Sequence, residues 1–151
     1  MSYSLGVRFV GVDYGRKRIG LAISDATAFL ARPWQVVPLA DPHPETAATM
    51  IADFFPRLMN EDDGVDGIVV GLPRRLDGTD TTLTEDVRTF ARQLHMITGI
   101  EVFLLDERLT SVEAEAQLAV REKDWRKRKQ QIDAVAAAIV LQDFLDSRVR
   151  G

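Results

Sequence analysis

The stretch VGVDYGRKRIGLAIS, residues 10–24, sets one carboxylate into a run of apolar residues. Val10 and Val12 precede it, and Ile19, Leu21 and Ile23 alternate with Arg18, Gly20, Ala22 and Ser24 after it. A period of two predicts strands over residues 7–14 and 18–25, joined by a tight turn at Gly15 to Lys17 and paired as a hairpin. Asp13 ends the first strand, beside Gly15 and three cations, Arg16, Lys17 and Arg18. A strand patterned for burial that ends in an acid next to a basic cluster calls for a chemical reason.

The elements around the hairpin set where that acid lies. RPWQVVPL, residues 32–39, is a third extended stretch, and Pro38 suits an edge or a strand end. DPHPETAATMIADFFPRLMNEDDG, residues 41–64, opens as a Pro-rich helix start. Ala47, Met50, Ile51, Phe54 and Phe55 fall there at helical spacing, and Pro56 is expected to kink or shorten the helix. VDGIVVGLP, residues 65–73, is an unbroken apolar strand of the kind found at the buried centre of a sheet. Residues 82–98 carry Leu83, Val87, Phe90, Ala91, Leu94 and Ile97 on one stripe, with Gly99 as the C′ stop. IEVFLLDE, residues 100–107, is a further strand, and residues 111–121 form a helix capped by Thr110 or Ser111. The last helix, 131–147, turns Ile132, Val135, Ala136, Ile139, Val140 and Phe144 inward. Strands that follow a crossover helix add in parallel. The expected architecture is therefore a single α/β domain over residues 1–151, a mixed five-stranded sheet with helices on both faces.

Composition narrows the chemistry. The chain has 151 residues, 46% of them hydrophobic, enough for one core and too few for two full domains around a cleft. There is no cysteine and there are two histidines, which leaves carboxylates to hold any metal and points to Mg²⁺ or Mn²⁺. No stretch is long and apolar enough to cross a bilayer, and the first residues do not read as a signal peptide, so a cytoplasmic protein is expected. The net charge of −4 hides a segregation. REKDWRKRKQ, residues 121–130, holds six basic residues against two acidic ones, a net +4 that leaves −8 on the remainder. Such a strip, with Arg126, Lys127 and Lys129, is a solvated helix face unless it borders a site; beside one, it is a phosphate-binding surface.

Three acidic positions fall at comparable places: Asp13, the pair Asp106 and Glu107 at the end of the last strand, and Asp133 at the opening of the last helix. Singly, each has a structural reading as a turn residue, a surface ion pair with Arg108, or a helix cap. Together they lie where α/β sheets gather their sites, at the carboxyl ends of strands. Acids brought together in that way repel one another and resist desolvation unless cations join them. Two divalent ions about 4 Å apart resolve the conflict and drive in-line attack on a phosphodiester. On that reading Asp13 is a metal ligand, Gly15 leaves room for a backbone or phosphate, and Arg16, Lys17 and Arg18 attract the phosphate chain.

Four blocks, VDYGRKRIGLAISD, GLPRRLDGT, LLDERLTSVEAE and RKRKQQIDAVAAAIVLQDFL, resemble in order the YqgF/RuvX family over residues 8–146. The resemblance implies an RNase H-like fold with strand order 3-2-1-4-5. It implies that Asp13, Glu107 and Asp133 are the catalytic, metal-binding acids. It further implies a nuclease of pre-16S rRNA ends, with resolution of four-way DNA junctions by a homodimer as the alternative. Gly71, Pro73, Asp77 and Gly78 fit the family loop, whereas Arg74 and Arg75 stand where a small polar residue is usual and add positive charge beside the site. Two further readings compete. An actin-like sugar kinase shares the Asp-x-Gly hairpin but needs two domains, and a catalytically silent RNA- or protein-binding module would have little reason to keep three acids together.

Overall fold

The computed structural model describes residues 7–106 and 125–150, the latter with side chains over 132–148. Five strands form one sheet in the order β3-β2-β1-β4-β5: β1 (Phe9–Tyr14), β2 (Arg18–Ser24), β3 (Ala31–Pro38), β4 (Gly67–Leu72) and β5 (Val102–Asp106). β1 pairs antiparallel with β2, and β2 with β3, while β4 adds parallel to β1 and β5 parallel to β4. The predicted hairpin, the parallel additions and the strand order all hold. β1, β2 and β4 are one to three residues shorter than the apolar runs suggest, and β3 keeps its expected length but starts one residue earlier.

The pleat divides the side chains between two layers. Val10, Val12 and Tyr14 of β1, Ile19, Leu21 and Ile23 of β2, and Ile68, Val70 and Leu72 of β4 join one buried cluster with α1 (Pro44–Ala52) and α3 (Thr82–Thr98). Phe9, Ala22 and Val69 point the other way, into a second cluster with α4 (Trp125–Arg150). The helix expected over 41–64 is broken at Asp53 and Phe54, and a short α2 (Phe55–Asn60) starts there with Pro56 in its first turn. Proline has no N–H to donate and is tolerated only where a helix begins. Arg8, 9% exposed, fastens the far end of α2 by donating to the carbonyls of Leu58 and Gly64.

α3 matches its predicted range, and Gly99 ends it in the left-handed region at φ 71°. Its start is a capping box: Thr81 Oγ1 accepts from the Thr84 N–H, and Thr84 Oγ1 accepts from the Thr81 N–H. Thr84 Oγ1 also donates to the Pro73 carbonyl at 2.5 Å, which ties the helix to the loop after β4. Thr81→Ala is expected to lower unfolding free energy by about 1 kcal/mol in urea titration, the usual loss for a cap.

α4 departs from expectation at both its start and its packing face. It is already helical at Trp125, so part of the basic strip belongs to it and Asp133 lies two turns inside rather than at its opening. Ala137, Ala138, Val140, Leu141 and Leu145 meet the sheet, whereas Val135, Ala136 and Ile139 form a separate buried cluster with Ile132. Residues 134–141 are apolar all round, so periodicity cannot choose a face. The choice is made by glycines on the sheet. A Cβ on Gly11 would stand 2.7 Å from the Ala137 carbonyl oxygen, and one on Gly20 would stand 2.0 Å from that of Asp133. The helix backbone rests directly on these two bare positions. The helix expected over 111–121 lies outside the described residues.

Candidate active site

Asp13 is the last but one residue of β1, and its register partner on β2 is Gly20. Along β1, Phe9 packs in the α4 layer and Gly11 lies against Ala137, so the pleat brings Asp13 to the same face. The backbone of Asp133 sits over Gly20, the residue paired with Asp13. Two of the three predicted acids are thus carried to one end of one sheet face, each half-buried. β1 supplies a rigid strand end, and Gly20 supplies the close approach that seats the helix. Gly20, read in the sequence only as one step of an alternation, is the residue that sequence reasoning missed. An apolar strand interrupted by glycine opposite an acid was the available signal.

The basic residues of the hairpin divide between the two faces. Arg18 Nε donates to Asp133 Oδ2 at 2.6 Å, with both side chains partly exposed. Arg16 instead reaches α3, donating to Thr82 Oγ1 and Asp86 Oδ2, each at 3.2 Å. Lys17 is exposed at the tip of the turn. Gly15, expected to leave room for a phosphate, serves the hairpin itself: a Cβ there would stand 2.7 Å from the Arg18 carbonyl oxygen.

The loop after β4 holds the two arginines that depart from the family pattern. Arg74 Nε lies 3.2 Å from Asp80 Oδ1, buried and misaligned for a hydrogen bond, and its Nη1 is 3.9 Å from Asp106 Oδ2. Arg88 shares Asp80, donating to Oδ2 at 2.7 Å. That hydrogen bond holds the Asp80 carboxyl below its usual range, so it stays ionised between the two guanidinium groups. Arg75 folds into its own loop, donating to the Asp80 carbonyl at 2.9 Å and to Thr79 Oγ1 at 3.3 Å. The added positive charge of this loop is therefore largely met by the chain's own acceptors.

Asp106 separates from the other acids. Phe103 and Leu105 of β5 pack toward α4, while Val102 packs toward α1 and α3. By the same alternation Asp106 points with Val102, away from the Asp13 face, and its ion pair is with Arg74. The side chains of Glu107, Arg126, Lys127 and Lys129 lie outside the described residues. Among the described residues no three acids or histidines converge on a common point. The donors that do share a face, Asp13 and Asp133, are carboxylates, a set that suits a hard divalent cation. A cavity lined by Arg88, Ala91, Arg92, His95, Val102 and Leu104 opens between α3 and β5, on the opposite side of the sheet from these acids. Among the described residues no helix is long and apolar enough to cross a membrane.

The chain is similar to known proteins over almost its whole length. The family model RuvX, described as Holliday junction resolvase, matches residues 7–147. A protein of Protochlamydia amoebophila named "Putative pre-16S rRNA nuclease" is 36% identical over 141 residues, which cover 93% of this chain and 94% of that protein. One of Anaeromyxobacter dehalogenans bearing the same name is 41% identical over 142 residues, with coverage of 94% and 98%. Among solved structures, Thermus thermophilus RuvC in complex with a Holliday junction substrate superposes with a TM-score of 0.60 at 17% identity, over 95% of this chain and 96% of that one. A ROK hexokinase of the same organism reaches 0.50 at 24% identity, but this chain spans only 39% of it. Both structural likenesses concern the fold, which is the mixed RNase H-like sheet. With the family model spanning almost its whole length and relatives well above 30% identity, the chain belongs to the RuvX family.

Proposed function

We propose that this chain is a divalent-metal-dependent nuclease that hydrolyses phosphodiester bonds in structured nucleic acid, in one domain and in the cytoplasm, with the ends of pre-16S rRNA as its substrate. The observation that carries the reading is the placement of Asp13 and Asp133 on one face at the carboxyl end of β1. Glu107 is proposed as the third acid. Phe103 and Leu105 give the odd positions of β5 to the α4 face, and Glu107 is the next odd position. Mg²⁺ or Mn²⁺, as two ions, would be held by Asp13, Glu107 and Asp133. When bound, such ions lower the pKa of water and offset charge on the leaving oxygen. The chain's own residues fix the carboxylates on a strand end and a seated helix, and present Lys17 and Arg18 to the phosphate backbone. The names borne by the relatives support the ribosomal substrate.

Cleavage of three substrates in Mg²⁺ and in Mn²⁺ tests this: single-stranded RNA, a pre-16S rRNA end and a synthetic four-way DNA junction. Cutting of the rRNA end is the expected result. Symmetric cutting of the junction by a homodimer would replace it with the resolvase reading, since paired incisions need paired sites. No metal-dependent cutting of any substrate would leave the silent binding module.

The basic strip enters the same reading as a phosphate-binding surface. Neutralising Lys127 and Lys129 together is expected to reduce the slope of log affinity against log salt by about two, roughly one for each lost phosphate contact. Filter binding over a salt series measures it, and an unchanged slope would return the strip to a solvated helix face.

A further inference from the structure

The guanidinium of Arg18 and the carboxylate of Asp133 make a close ion pair at the proposed site, 2.6 Å between Nε and Oδ2. Arg18 is on β2 with Gly20, and the pleat turns both to the α4 face that carries Asp13. The contact is long-range: residue 18 belongs to the first hairpin and residue 133 to the last helix. Its two side chains are 51% and 26% exposed, so the pair is reachable from solvent and is not a core bond. Arg16 and Lys17 carry the same charge close by without making this contact: Arg16 is held by Asp86, and Lys17 is at the turn tip.

We propose that Arg18 is a positioning residue that competes with the divalent cation for Asp133, and that a substrate phosphate relieves the competition by taking Arg18. The proposal rests on the reading of Asp133 as a metal ligand. A guanidinium bonded to one carboxylate oxygen neutralises the charge a cation needs and repels that cation directly. A backbone phosphodiester offers the same guanidinium a bidentate partner of equal charge, set in a polyanion that attracts it further. Moving Arg18 from Asp133 to the phosphate frees the acid for metal when nucleic acid is in place. Metal and nucleic acid would then favour each other's binding through this one side chain, a coupling that is reciprocal by necessity.

The test is Mn²⁺ binding to the full chain by calorimetry, without nucleic acid, together with binding of an uncleavable 2′-O-methyl RNA in EDTA. Arg18→Gln is expected to tighten Mn²⁺ binding by about tenfold, through loss of both competition and repulsion, and to weaken RNA binding. Opposite signs in the two assays are the signature. Lys17→Gln removes the same charge one residue away and is expected to weaken RNA binding while changing Mn²⁺ affinity less than about twofold. Arg18→Lys, which keeps the charge but not the planar fork, should fall between wild type and Arg18→Gln. Mn²⁺ affinity that is equal in wild type and Arg18→Gln would overturn the competition by Arg18. If Asp13→Asn still lost Mn²⁺ binding, the metal site would survive that result. Wild-type protein with no Mn²⁺ binding at millimolar ion would overturn the metal site and the role of Arg18 together.

Discussion

Asp13→Asn is expected to lower metal-dependent cleavage by roughly a thousandfold while leaving the fold in place. The substitution is nearly isosteric and keeps the backbone rung between residue 13 and Gly20. What it removes is charge. An amide oxygen is a weaker ligand for a divalent cation than a carboxylate, and an ion held by fewer charges generates hydroxide less readily. Without metal, the variant should melt close to wild type, because the substitution keeps the volume of the side chain and the strand pairing. With metal the two diverge. Wild type should gain thermal stability from millimolar Mn²⁺ by mass action, and the variant should gain much less. Cleavage rates and melting temperatures, with and without Mn²⁺, read the two effects separately. Unchanged cleavage in Asp13→Asn would remove Asp13 from the ligand set, whatever its effect on melting.

Much of this site is legible in the sequence because strands report their faces directly. The alternation in β1 and β2 fixes which residues go to the α1 and α3 layer, and Asp13 follows by parity once Phe9 is known to point the other way. Asp106 and Glu107 are adjacent letters, and the sequence alone does not say which face Asp106 takes. That Asp106 points away from Asp13 follows from Phe103 and Leu105, whose environment the sequence does not reveal. Helix α4 is harder. Its apolar residues run right round it, and the sheet-facing side is selected by the bare backbone of Gly11 and Gly20 across the interface. Cations are harder still. Arg16, Arg18, Arg74 and Arg75 all read as phosphate ligands, yet each has a partner within the chain. Long side chains choose among acceptors brought close by tertiary structure, and no local spacing encodes that choice.

Gly20→Ala is expected to be the most damaging single methyl group in the described structure. Its Cβ would stand 2.0 Å from the Asp133 carbonyl oxygen, 2.2 Å from the carbonyl carbon and 2.7 Å from the Ala134 nitrogen. All three are backbone atoms of a helix, so no rotamer change relieves the clash. α4 must lift as a unit, which opens the layer of Ala137, Leu141 and Leu145 against β1 and β2. A loss of about 3 to 5 kcal/mol is expected, the range for overpacking that the backbone cannot absorb combined with a loosened core. Gly64→Ala is the control. It has open space around it but sits at φ +57°, so its cost is conformational and about 1 kcal/mol. Urea denaturation of both variants gives the comparison. The lift also carries Asp133 away from Asp13 and Arg18, so the folded fraction of Gly20→Ala should cleave poorly even in saturating Mn²⁺, whereas Gly64→Ala should cleave normally once folded. If Gly20→Ala costs no more than Gly64→Ala, α4 does not rest on β2 at that position. The glycine would then no longer explain how an acid deep inside the last helix reaches the end of the first strand.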